Sequence, residues 1–221
     1  MQRLFDVKKT QLQMARDRGY LLPPEEEAIL TMTLTQFTSY AGDLSRQMNT
    51  SIRSALSRVY TSANKYNGVD RHMLVYYGGK TSPQQKQVSA DTVRQFIKLV
   101  QDYGIFEAVI IVDAPLSSKG NDELSALTLV RWQVFFDSDL TYNPVNHVDT
   151  PRHELLSGED AAAKLLEMKA DVSKLLIIKT TDPVVRYYGW PVGGLVKIYR
   201  DDSAISVLSP KSINYRIIIA G

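Results

Sequence analysis

Residues Asp182–Arg200 read DPVVRYYGWPVGGLVKIYR. Asp182 carries a side chain suited to a helix N-cap. Pro183 suits the first helical position, where the N–H it lacks would be unbonded anyway. Val184–Tyr188 supply little more than one turn, and Gly189 offers a left-handed stop. Pro191, Gly193 and Gly194 predict a turn, and Leu195–Tyr199 alternate as a strand. The stretch contains no Cys, His or Ser, so it offers no thiol, imidazole or seryl nucleophile and no soft metal ligand. Every residue in it has a structural job, and its plainest reading is a compact strand–helix–strand unit.

The surroundings extend that unit. KLLIIKTT (174–181) reads as a strand leading into it, and INYRIIIAG closes the chain as another. SGEDAAAKLLEMKA (157–170) predicts a helix with carboxylates in its first turn, where the helix dipole favours them. Before it, TYNPVNHVDTPRHELLS has two prolines, two histidines and no period, and reads as a domain boundary near residue 142. The N-terminal 142 residues have a different texture. Leu4, Val7, Gln11, Met14 and Arg18 share one helical stripe, stopped at Gly19. A short acidic-headed helix follows Pro23–Pro24, and TMTLTQF predicts another short helix. HMLVYYGG (72–79), FEAVIIVDAP (106–115) and LVRWQVFF (129–136) read as strands. SADTVRQFIKLVQDYG (89–104) is an amphipathic helix between the first two. SSKGNDELSAL (117–127) predicts a turn and a short helix between the last two. This order predicts parallel strands joined by crossovers, an α/β layer. Residues 44–71 keep helical period through Ile52, Ala55, Leu56, Val59, Tyr60 and Ala63, and carry five cations against Asp70.

The 221 residues fit one large domain or two small ones, and 44% hydrophobic content allows a sizeable core. A net charge of +2 gives no bulk attraction for nucleic acid, only room for a local patch. The absence of cysteine excludes disulfides, thiolate zinc sites and thiol catalysis. No apolar run approaches the roughly 18–20 residues that span a bilayer, so no membrane partner is expected.

The motifs are more particular than a generic unit requires. Asn143, His147, Pro151 and His153 follow the pattern N-x-x-x-H-x-x-x-P-x-H. Asp182, Pro183, Arg186, Tyr187 and Gly189 follow D-P-x-x-R-Y-x-G. Val196, Lys197, Ile198 and Arg200 follow V-x-K-I-x-R, and Tyr215–Arg216 supply a closing Y-R. Together these resemble the C-terminal module of the fifth common subunit of eukaryotic nuclear RNA polymerases, a family with an archaeal counterpart. The first helix, ending in a D-R-G-Y box at Asp17–Tyr20, is similar to that family's opening. Two departures mark a divergent or paralogous member. Fourteen residues separate Arg200 from Tyr215, and the family's T-P-S-A-like loop appears as Ala114, Pro115, Leu116, Ser117.

The resemblance implies an α/β chain in two parts. Residues 1–142 would form a jaw domain with a restriction-endonuclease-like sheet and flanking helices, and 143–221 a small α+β assembly domain. It implies a non-catalytic structural subunit, one copy in a hetero-oligomer, nuclear, or nucleolar if dedicated to ribosomal RNA transcription. Its partners would be the largest and other polymerase subunits, with downstream duplex DNA held weakly and without sequence preference. No cofactor is implied. Partner binding would fall to His147, Pro151, His153, Asp182, Pro183, Arg186, Tyr187, Gly189, Lys197, Arg200, Tyr215 and Arg216. DNA binding would fall to Pro115, Ser117, Ser118 and Lys119, with Arg53 and Arg58 from the basic segment. Hydroxyls, amides and lysines can hold phosphates without reading bases.

The residues leave other readings open. Arg186, Arg200 and Arg216 could instead pair with acids inside the module. His147 and His153, six apart and without further ligands nearby, make a poor metal site. RIIIAG could be covered by the chain's own helix at 157–170 or by a partner, since a strand apolar on both faces wants cover on both. A stand-alone nucleic-acid-binding or nuclease-like protein is the alternative function. A nuclease of this kind needs acids and a lysine clustered on adjoining strands to hold magnesium. Asp6-x-Lys8 and Glu167-x-Lys169 fall on predicted helices, and Asp113 has no lysine two residues on.

Overall fold

The computed structural model describes residues 1–65, 68–169, 174–200 and 212–221. The chain divides into two compact units, Met1–Tyr142 and Asn143–Gly221.

The first unit starts with α1 (Gln2–Asp17), α2 (Pro24–Ile29), α3 (Leu34–Gln47) and the single turn α4 (Ile52–Ala55). Strands β1 (Arg58–Thr61) and β2 (His72–Tyr77), helix α5 (Ala90–Asp102), β3 (Glu107–Val112), α6 (Ser118–Ser125) and β4 (Arg131–Phe136) follow. The sheet order is β1-β2-β3-β4. The β2–β3 and β3–β4 pairs are parallel, as the strand–helix–strand order predicts, and β1 is antiparallel to β2. Along β2, Leu74 and Tyr76 face α5, joining Val93, Phe96 and Val100 in one core cluster. The alternate residue Tyr77 reaches the other face, where its hydroxyl donates to Gln11 of α1 at 3.2 Å. The central strands β2 and β3 are therefore covered on both sides, which is why they read as continuous apolar runs.

Two expectations need correction here. The short helix expected at TMTLTQF is the start of the 14-residue α3. It opens on a capping box in which Thr33 and Gln36 exchange side-chain and backbone bonds. The helical period over 52–63 does not survive beyond Ala55. Val59, Tyr60 and Thr61 are β-branched or aromatic and pair as a strand with Leu74, Met73 and His72. Tertiary pairing overrides a period that is ambiguous over so short a run.

The second unit contains β5 (Arg152–Leu155), α7 (Gly158–Glu167), β6 (Leu176–Lys179), α8 (Pro183–Tyr188), β7 (Leu195–Arg200) and β8 (Ser212–Ile219). Its sheet runs β5-β7-β8-β6, with β6 parallel to β8 and the other pairs antiparallel. β5 lies in the stretch read as irregular boundary. Its four residues are too few to show a period. Val185 of α8 packs on Ile178, Val196, Ile198 and Ile218, so α8 covers one face of the sheet. Most of the interval between Arg200 and Tyr215, and the last residue of the helix expected at 157–170, lie outside the described residues.

Candidate assembly and nucleic-acid surfaces

In the second unit most of the family motif is consumed in building the fold. The Asp182 carboxylate accepts from the N–H groups of Val184 (2.9 Å) and Val185 (3.3 Å), and Pro183 occupies the first turn of α8. Gly189 ends the helix at φ +65°, a conformation that costs glycine little and other residues more. Tyr187 is fully buried, and its hydroxyl accepts from Asn143 Nδ2 at 3.0 Å. Tyr188 stacks on Trp190 with ring centroids 4.6 Å apart. His153, on β5, lies with Nδ1 2.6 Å from the Pro151 carbonyl, while exposed His147 sits 3.7 Å from the Asp149 carboxylate. No group of three or more His, Asp or Glu side chains that could hold a metal ion occurs among the described residues.

The face opposite α8 is different. Register puts Ile177, Ile213, Tyr215, Ile217 and Lys197 on it. α7 crosses it, with Lys164 Nζ 5.2 Å from the Tyr215 ring, yet no residue of α7 is buried. Ile177 and Ile213 are each 50% exposed, and Leu166 of α7 is 81% exposed. The chain's own helix therefore covers this face only in part. Lys197 lies over the Tyr199 ring at 4.6 Å, and hydrogen bonding to that tyrosine raises its pKa. Arg200 is exposed at the end of β7. Arg216 donates to the Ile177 carbonyl at 3.4 Å, but its buried Nε has no partner among the described residues. Arg186 is half-buried in the last turn of α8. Internal pairing with acids does not account for Arg200 or Arg216 within what is described.

In the first unit the candidate phosphate residues separate into two groups. Pro115, Ser118 and Lys119 are exposed at the carboxyl edge of β3. Ser117 caps α6 by accepting from Gly120 N–H at 3.2 Å. Backbone bonds fix this loop: Val88 N–H donates to the Pro115 carbonyl (2.8 Å) and Ser117 N–H to the Val88 carbonyl (3.0 Å). Open α/β sheets bind ligands outside the carboxyl ends of their strands, and this loop occupies that edge. Arg53 turns inward instead. Its guanidinium holds both Asp137 oxygens at 2.8 and 2.9 Å and donates to the Gly78 and Ile111 carbonyls. It clamps the ends of β2 and β3 to the turn after β4. Arg58 also leans inward, 3.6 Å from the Glu26 carboxylate.

Sequence reasoning missed three buried charge pairs in this unit. Lys8 is fully buried against Glu26 at 2.9 Å, with Gln11, Tyr60 and the Leu56 carbonyl completing its shell. Burial lowers the Lys8 pKa, against the pull of Glu26, and raises those of Tyr60 and Tyr77. Arg18 meets Glu107 at 2.9 Å, and Tyr20 donates to the same carboxylate at 2.8 Å. The third is Arg53–Asp137. The signal for the first was visible: Lys8 stands among Phe5, Leu12 and Ala15 on the inward side of α1. These pairs also dispose of Lys8 as a nuclease lysine, since its ammonium is already committed.

Comparison with known proteins decides the family. The family model described as RNA polymerase Rpb5, N-terminal domain, matches residues 1–100, and that for the Rpb5 C-terminal domain matches 142–218. Between them they span most of the chain. The chain belongs to the Rpb5 family. Relatives align over nearly their full length at low identity. Subunit RPABC1 of DNA-directed RNA polymerases I, II and III from Caenorhabditis briggsae is 28% identical over 218 residues, covering 98% of this chain and 96% of the relative. The Dictyostelium discoideum rpabc1 subunit is 26% identical over 220 residues, covering 98% of each. Subunit 5B of Arabidopsis thaliana RNA polymerases IV and V is 25% identical over 216 residues, covering 96% of this chain and 88% of the relative. Shared and polymerase-specific Rpb5 proteins both resemble it, and at these identities this chain is a divergent member.

Proposed function

We propose that this chain is a non-catalytic structural subunit of a nuclear DNA-dependent RNA polymerase. Residues 143–221 dock on the largest subunit, and residues 1–142 form a jaw beside downstream DNA. The observation that carries the docking is the half-covered sheet face of the second unit. A small domain buries only about 60% of its unfolded surface, so it gains from a partner that closes the remainder. Ile177 and Ile213 provide the apolar centre of that contact, while Arg200 and Arg216, which register puts on the α8 side of the sheet, offer guanidinium forks to partner acids or carbonyls beyond it. The motif residues Asp182, Pro183, Tyr187 and Gly189 act by shaping α8, and His147, Pro151 and His153 by shaping the approach to β5.

The jaw's contact with DNA rests on Pro115, Ser117, Ser118 and Lys119. It is weak, salt-sensitive and blind to sequence, as phosphate contacts are. Arg53 and Arg58 support it from within. Arg53 fixes the carboxyl edge of the sheet on which the loop stands.

Affinity purification of the tagged chain from nuclear extract tests the proposal. The largest polymerase subunit should copurify, and Arg200→Glu should release it while the melting temperature holds. Recovery of no polymerase subunit with the wild-type chain rejects the reading.

A further inference from the structure

The carboxyl edge of the first sheet carries a second loop beside residues 115–119. Residues 79–87, GKTSPQQKQ, run from the end of β2 toward α5. Both ends of this loop are pinned to the neighbouring one. Lys80 N–H donates to the Asp113 carboxylate at 3.1 Å, and Val88 exchanges backbone bonds with Pro115 and Ser117 at 2.8 and 3.0 Å. The middle is tied only to itself. Gln85 N–H donates to the Ser82 carbonyl at 3.1 Å, closing a turn with Pro83 in its favoured second position. Gln85 Oε1 accepts from the Thr81 N–H and hydroxyl at 3.0 and 2.9 Å, and the Ser82 hydroxyl meets Gln84. Among the described residues no hydrogen bond joins 81–87 to the rest of the fold.

Ser82 is followed by proline, and that dipeptide is chemically distinctive. Proline has no N–H, so a binding site that offers this backbone position no acceptor takes proline and rejects other residues. Proline-directed protein kinases select acceptor hydroxyls in this way. The acceptor must also enter the kinase cleft extended, and here only bonds internal to 81–85 have to open. Thr81, Pro83, Gln84, Gln85 and Lys86 are exposed and Ser82 is half-exposed. Thr150–Pro151 offers the same dipeptide in a different setting. Both residues are half-buried, Thr150 N–H donates to the His147 carbonyl at 2.9 Å, and the Pro151 carbonyl lies 2.6 Å from His153 Nδ1. Drawing that segment out would break the approach to β5. Ser209–Pro210 lies outside the described residues.

We propose that Ser82 accepts phosphate from a proline-directed kinase, and that this phosphate weakens the jaw's hold on DNA. The Ser82 hydroxyl attacks the γ-phosphorus of a nucleoside triphosphate. The Oγ–P bond forms as the bond from that phosphorus to the β-bridging oxygen breaks. Nucleoside diphosphate leaves, and the hydroxyl proton passes to the kinase's base. The product carries a charge of about −1.5 to −2 at pH 7. It stands in a loop pinned to Pro115 and Ser117, on the edge proposed for phosphate contact. Lys80, Lys86 and Lys119 are exposed and form no ion pair among the described residues. A phosphate on Ser82 attracts those ammonium groups and repels the phosphates of DNA. The effect on DNA rests on the jaw reading above; the phosphorylation itself does not.

Incubation of the full chain with ATP and a purified cyclin-dependent or mitogen-activated protein kinase tests it, read by mass spectrometry of the tryptic peptide Thr81–Lys86. That peptide should gain a phosphate on Ser82. Ser82→Ala should abolish the gain, and Pro83→Ala should slow it about tenfold. Polymerase assembled with the phosphorylated chain should bind duplex DNA about threefold more weakly, by a margin that shrinks as salt rises. Absence of transfer to Ser82 by both kinases, or transfer indifferent to Pro83→Ala, overturns the proposal. Unchanged DNA affinity after phosphorylation, where Lys119→Ala lowers it, overturns it equally. If neither the phosphate nor Lys119→Ala alters DNA affinity, the jaw's DNA contact itself is rejected, and the regulatory half of the proposal with it.

Discussion

The two units treat charge in opposite ways. The first internalises it: Lys8–Glu26, Arg18–Glu107 and Arg53–Asp137 lie within its packing, each supplemented by further hydrogen bonds. The second unit instead carries ion pairs such as His147–Asp149, Arg152–Glu154 and Lys164–Glu167, each with at least one partner well exposed. The apolar side chains show the same contrast. The first unit buries β2 and β3 almost completely, leaving β1 and the ends of β4 partly open. The second leaves Leu166, Ile177 and Ile213 half or more exposed. Buried charges must be satisfied internally because no water reaches them, so the first unit is complete as a folding unit. The second carries surface it has not finished burying, as expected of a part that is completed by a partner.

The largest effect should come from breaking the internal pair of the first unit. Glu26→Ala strands the Lys8 ammonium and should cost about 3–5 kcal/mol in denaturant unfolding of the full chain. The paired replacement Lys8→Met with Glu26→Leu should recover most of that loss. A single-variant cost near zero would mean that the pair is hydrated. The same network predicts a pH dependence. Tyr20, Tyr60 and Tyr77 all have folded pKa values raised above 10 by burial. Their stability contribution is complete below pH 10 and is lost as pH rises through the folded values, because the unfolded chain ionises first. Lys8 acts with opposite sign over the window below its unfolded value of 10.5, since its folded pKa is lowered. Three tyrosines outweigh one lysine, so stability should fall above pH 10, and Tyr77→Phe should make that fall shallower. An unchanged slope would show Tyr77 ionising as it does in the unfolded chain.

Smaller effects probe the second unit. A methyl added at Gly194 would stand 2.8 Å from Leu155 Cδ1 and 3.2 Å from Ile218 Cδ1. Gly194→Ala should therefore cost about 1–3 kcal/mol through overpacking. Asp182→Ala removes the cap of α8 and should cost about 1 kcal/mol. Both are read from the unfolding of the second unit, and an Asp182→Ala chain as stable as wild type would assign that residue to partner contact instead. Lys164→Ala, in an exposed pair, should leave the melting temperature where it was; a clear drop would mean that α7 is held more firmly than its exposure indicates.

Most strands and helices were legible because their patterns are strong. Within FEAVIIVDAP the strand Glu107–Val112 is mostly apolar and buried at every position, and SADTVRQFIKLVQDYG shows one inward stripe. β1 and β5 were not legible, because four residues carry no decisive period and their pairing is set by strands distant in sequence. The motif DPVVRYYG identified the family, yet its residues mostly build α8. A family pattern marks what must stay the same, whether for folding or for contact, and the letters do not separate the two. Arg53 illustrates the reverse problem. It stands in a basic run that reads as a solvent or phosphate face, but an acid 84 residues away holds it. The half-covered face was foreshadowed by RIIIAG, whose consecutive isoleucines place apolar groups on both sides of a strand.

Hydrogen exchange compared between the free chain and the chain assembled in polymerase tests the contrast most directly. Protection should rise on assembly along β6 and β8, at 176–179 and 212–219, while α1 and β2 exchange equally slowly in both states. Equal protection of β6 and β8 in the two states would show that the second unit is already complete by itself, and would contradict the account.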